Sequence, residues 1–151
     1  MLSKTPQGYK VAFRIKNEVG LMIEMIPEEE TLDAWTEMLT VHVMRNKHGY
    51  TLDSFYAGMK QAWMEMFSRA SVQVIERGYE ELEPTLIWSQ LCAHNRETGQ
   101  PENTWFKLSI PNGVLVVVQK AFRFTPADDD IATWLDFLRD VRVDHRLQAL
   151  H

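Results

Sequence analysis

Between Tyr9 and Lys16, the apolar Val11, Phe13 and Ile15 alternate with Lys10, Arg14 and Lys16, the two-residue rhythm of a strand with one wet face. Asn17, Glu18 and Gly20 supply turn chemistry, and Leu21, Ile23 and Met25 resume the alternation until Pro27, so the two segments read as a hairpin. After the acidic loop Glu28–Glu30, the segment Trp35–Met44 predicts a third strand. Trp35, Leu39, Val41 and Val43 share a parity there that only Glu37 interrupts. Its other parity is also partly apolar, as expected of a strand covered on both faces.

The period changes between Thr51 and Ala70. Leu52, Phe55, Tyr56, Met59, Ala62, Trp63, Met66 and Phe67 recur at steps of three and four, which predicts an amphipathic helix capped by Thr51 and packed heavily on the sheet. Val72, Val74 and Ile75 suggest a short strand ending near Gly78, and further strands are read at Leu86–Ala93 and Trp105–Ile110. Pro111-Asn112-Gly113 is a hairpin signal, because both turn positions must accept positive φ. The strand it opens, Val114–Phe124, begins with five consecutive apolar residues, a run that belongs in the middle of a sheet covered on both sides. A last helix is predicted from Thr125 as cap and Pro126 as first residue, with Asp128–Asp130 at the positive end of its dipole. Ile131, Trp134, Leu135, Leu138 and Val141 form its inner face, and Arg139 and Arg142 suit its C-terminal end. The pattern is α+β: a largely antiparallel sheet of about six or seven strands flanked by helices, and the 151 residues read as a single domain.

Charge narrows the function classes. The formal net charge of −5 opposes a role built on phosphate contact, which needs clustered Lys and Arg, so nucleic acid is not an expected partner. No segment approaches the apolar length of a membrane span. Cys92 is the only cysteine, so no intrachain disulfide can form.

The chemistry-bearing spacings are sparse. The chain has no glycine-rich phosphate loop, dinucleotide fingerprint, zinc-protease helix or nucleophile elbow. Cys92 and His94 share a strand parity, but two ligands do not make a metal site, so no metal, cofactor or catalytic residue is assigned. Glu24 and Glu37 would form an acid–base pair if their strands were neighbours and their side chains faced one another. Binding candidates are the strand tryptophans Trp35, Trp88 and Trp105, as possible surface anchors, with Glu37 and the cations Lys120 and Arg123.

Three stretches, Trp35–Val41, Val118–Arg123 and Trp134–Val143, together resemble a group of small bacterial proteins without assigned chemistry. The order and spacing of the elements resemble the Mog1/PsbP-like fold, an antiparallel sheet sandwiched by helices. The resemblance implies an exported protein with paired cysteines, one at the position of Cys92 and one just after the last helix. Here Val143 is followed by Asp144 and His145, so that pair is absent. A leader preceding Met1 would make the protein periplasmic or exported; with Met1 as native start it is cytoplasmic. The resemblance also implies a noncatalytic binding or assembly module, which agrees with the missing catalytic spacings. Its partner would be a protein or a small ligand, met through one sheet face or through the loops Glu28–Asp33 and Asn95–Asn103. The alternatives are a small hydrolase or isomerase using Glu24 or Glu37 with a histidine, and a self-associating homodimer.

Overall fold

A computed structural model describes residues 2, 3 and 5–145. Among these residues seven strands form one antiparallel sheet: β1 (Tyr9–Lys16), β2 (Gly20–Pro27), β3 (Glu37–Arg45), β4 (Ala70–Glu80), β5 (Glu83–Asn95), β6 (Gln100–Ser109) and β7 (Val114–Phe122). Their order is β1-β2-β3-β7-β6-β5-β4, with β1 and β4 at the edges and the Val114–Val118 run in the centre. Among the described residues two helices, α1 (Leu52–Met66) and α2 (Asp128–Asp140), pack on opposite faces.

Every strand predicted from the two-residue rhythm is present; β4, β5 and β6 are longer than their apolar cores suggested, so that Gln100–Asn103 of the expected loop lies in β6, while β3 begins at Glu37 and leaves Trp35 in the loop before it. The α2 face buries Leu21, Ile23, Leu39, Val41, Val43, Val116, Val118 and Phe122 beneath Leu138 and Val141. The α1 face buries Leu86, Trp88, Phe106, Leu108, Leu115 and Val117 against Leu52, Phe55, Tyr56 and Met59. Trp88 stacks on Phe106 at 4.9 Å between ring centroids, and the rings of Phe55 and Tyr56 meet Trp88 edge-on.

Several details differ from the sequence reading. No residue of α1 is fully buried; its stripe rests on β4 and β5 at one side of the sheet, where the helix keeps one flank in solvent. Thr51 does cap it, accepting from the Ser54 N–H while the Ser54 hydroxyl accepts from the Thr51 N–H. Helix α2 begins at Asp128, two residues after the expected first position, with Ala127 as its cap residue. The Ala127 N–H donates to the Asp130 carboxylate, so the acidic first turn does the work assigned to Thr125. In β1 a bulge between Val11 and Phe13 breaks the register, so the three apolar residues do not share one face, and all three are exposed. The Pro111–Gly113 connection is a single 3-10 turn with Asn112 at φ 50° and Gly113 at φ 76°, the two positive angles that the sequence required.

Candidate functional site

Lys120 lies on β7 with the parity of Val116, Val118 and Phe122, so its side chain enters the α2 side of the core and is 0% exposed. The antiparallel register brings Glu37, first residue of β3, opposite Phe122, and Trp105 of β6 opposite Lys120. Tyr9 reaches in from β1 and Trp134 from α2. The ammonium donates to Glu37 Oε1 at 2.7 Å and to the Tyr9 hydroxyl, and the Tyr9 O–H donates to the same Glu37 oxygen at 2.9 Å. Nζ stands 3.6 Å from the centroid of the Trp134 ring and 4.7 Å from those of Tyr9 and Phe122. Trp105 closes the adjacent side, edge-on to Phe122.

An ammonium stripped of water is costly, and here one carboxylate, one hydroxyl and the negative faces of aromatic rings stand in for hydration. The exchange is incomplete: burial pushes the Lys120 ammonium down to about 8, against the opposing pull of Glu37. Burial and the charge of Glu37 push Tyr9 the other way, well above the usual phenol, so it remains a donor. The cluster ties an edge strand, two central strands and a helix together at one point.

A second buried amine sits nearer the other end of the same face. Lys107 donates to Glu80 at 2.7 Å and to the Val141 carbonyl at 2.9 Å, and Arg142 joins Glu80 at 2.9 Å, latching the end of α2 to β4 and β6. Burial lowers the Lys107 ammonium too, against the pull of Glu80. Sequence reasoning missed Tyr9, Trp134 and this latch. The available signal was a lysine at inward parity within the apolar strands Trp105–Ser109 and Val114–Phe122.

Of the six candidates, Trp35, Glu37, Trp105, Lys120 and Arg123 gather around the start of β3 and the end of β7, whereas Trp88 lies on the opposite face. Trp88 is 0% exposed, with its indole N–H bonded to Gln90. Arg123 stacks over Trp35 with Cζ 3.7 Å from the ring centroid, and its main-chain N–H donates to the Thr36 carbonyl at 2.8 Å. Its Nε is buried without a hydrogen-bond partner among the described residues. Glu24 and Glu37 do not form the acid–base pair: Glu24 pairs with Thr40 and projects to the face opposite Glu37. Cys92 is buried with its thiol donating to the His94 carbonyl, and among the described residues no cluster of three or more His, Cys, Asp or Glu side chains is placed for a metal ion.

The strand order puts both expected recognition loops at one end of the sheet. The β2–β3 loop and the β5–β6 loop emerge there, with Arg123–Ala127 leaving β7 between them. The Asn103 amide binds the Phe124 carbonyl and fixes that central segment. Glu30 orders the first loop by accepting from the Thr36 N–H and hydroxyl at 2.7 and 2.6 Å. Burial opposes its ionisation, but these bonds hold the carboxyl below its ordinary value. Glu28, Glu29, Asp33, Asp128 and Asp129 are exposed there, with no ion pair or hydrogen bond to their carboxylates among the described residues. Beside the β5–β6 loop, a cleft of about 600 Å³ is lined by Glu65, Phe67, His94, Arg96 and Glu102 among others.

No protein-family model matches the chain, and no curated protein matches it. Among solved structures, the chain is similar to a point mutant of the protein Mog1, at 12% identity and TM-score 0.56 over 91% of this chain and 87% of that one. It is also similar to the Ran-binding protein Mog1p of Saccharomyces cerevisiae, at 13% identity and TM-score 0.52 over 96% and 80%. A third likeness is to cyanobacterial PsbP (CyanoP) of Synechocystis sp. PCC 6803, at 16% identity and TM-score 0.49 over 93% and 84%. At these identities the likeness to the two Mog1 structures is one of fold: the architecture is a Mog1/PsbP-like α+β sandwich.

Proposed function

We propose that the protein is a noncatalytic binding module that recognises the basic surface of a protein partner through the loop end of its sheet. One contrast carries the reading. Lys120, whose ammonium burial brings down to about 8, is sealed by its own partners, while five carboxylates at the loop end stand exposed and unpaired among the described residues. A reactive amine must reach its substrate; an exposed cluster of carboxylates steers and selects partners. At the same end, the half-buried Trp35 ring with the Arg123 guanidinium stacked on it adds a partly apolar contact, the kind of anchor on which interfaces depend. That one structural neighbour is described as Ran-binding supports protein recognition as a use to which this fold lends itself.

The test is a triple charge reversal, Glu28→Lys with Glu29→Lys and Asp33→Lys, compared with the unaltered protein in capture from native lysate at low and high salt. Proteins retained at low salt by the unaltered chain should be lost both with the variant and at high salt. The same retained set with the variant, or turnover of any compound in a metabolite hydrolysis screen, would refute the reading.

A further inference from the structure

Strand β1 forms an edge of the sheet, so among the described residues the outward N–H and C=O groups along it have no neighbouring strand. Val11, Phe13 and Ile15 are 55%, 39% and 45% exposed on it. Lys10, Arg14 and Lys16 are exposed as well, with no ion pair or hydrogen bond to their side chains among the described residues. The other edge, β4, is treated differently: Arg77 pairs with Asp53 at 2.7 Å, Glu76 with Arg139 at 3.0 Å, and Glu80 with Lys107 at 2.7 Å. One edge has its charges satisfied within the molecule, and the other displays free cations on a chain of net charge −5.

The bulge sorts those side chains. Beyond it, Phe13 pairs with Glu24 and Ile15 with Met22, whereas Arg14 pairs with Ile23 and Lys16 with Leu21. Phe13 and Ile15 therefore share one face, and Arg14 and Lys16 share the other. We propose that β1 accepts, as an added strand, an extended peptide segment of a partner protein in which acidic residues alternate with apolar ones. Main-chain hydrogen bonds hold such a segment, and alternate side chains give it specificity. Its carboxylates lie beside Arg14 and Lys16 and its apolar residues beside Phe13 and Ile15. A second copy of β1 is a poor occupant: matched faces set Arg14 and Lys16 against like charges, and mismatched faces set them against Phe13 and Ile15.

The inference goes beyond the loop-end reading and uses none of its residues, so either stands if the other fails. The probe is a blocked eight-residue peptide of alternating valine and glutamate, titrated into the isotope-labelled full chain and followed by amide shifts. Shifts should concentrate on Phe13–Lys16. Arg14→Glu with Lys16→Glu should weaken binding roughly tenfold or more. A peptide of the same composition with its valines and glutamates in two blocks should not bind, which separates strand pairing from charge attraction without any variant. Equal binding by the blocked-order peptide or by a valine–lysine peptide would overturn the proposal. So would an absence of shifts at roughly millimolar peptide, or light scattering that shows a dimer disrupted by the double charge reversal.

Discussion

At the scale of the residue, Lys120 has a measurable signature. Burial lowers its ammonium from 10.5 to about 8, while an unfolded chain restores the ordinary value. Between those values the unfolded state binds the extra proton, so stability rises with pH. From pH 8 to 10 the gain expected from this group is about 2 kcal/mol, with Lys107 adding in the same direction. Tyr9, raised by burial, acts oppositely as the pH nears and passes the ordinary phenol value, and so offsets only a small part of the gain at the top of this window. Urea unfolding across that range should therefore show increasing stability, with a smaller rise in Lys120→Met. A flat or falling profile in the unaltered protein would contradict the burial assigned to Lys120.

At the scale of the element, the β2–β3 pairing depends on the missing side chain of Gly20. A Cβ there would stand 1.9 Å from the Val43 carbonyl oxygen, a clash with backbone that no rotamer relieves. Gly20→Ala should cost about 3 kcal/mol or more, read as a lower urea midpoint; an unchanged midpoint would show that the hairpin does not approach β3 this closely. Turn chemistry marked Gly20 in the sequence, but the close approach belongs to β3, over twenty residues away. The same distinction explains what was legible. Alternation in Leu21–Met25 and the 3.6-residue stripe from Leu52 to Trp63 report local geometry, so strands, helices and the Asn112-Gly113 turn followed directly. Three things were set elsewhere: the bulge at Val11 and Phe13, the start of α2 at Asp128, and the shallow seating of α1. Each depends on neighbours that periodicity does not describe. Glu37 and Lys120 were legible as misfits on apolar strands, but their meeting required the β3–β7 register. Tyr9 and Trp134 looked like ordinary apolar positions until the sheet order brought them over one ammonium.

At the scale of the whole molecule, reactive potential and accessibility are separated. The buried amines Lys107 and Lys120 brace the sheet to α2, and the solvent meets carboxylates at the loop end and cations along β1. Among the described residues no helix is long and apolar enough to cross a membrane. The most direct test is brief acetylation of the native protein near pH 8, with sites quantified by mass spectrometry. Lowered basicity would make an accessible Lys120 among the fastest amines to react. The account predicts that Lys10 and Lys16 are modified while Lys120 stays unmodified until the protein is unfolded. Rapid native modification of Lys120 would mean that the cage is open, and with it the claim that this molecule binds rather than reacts would fall.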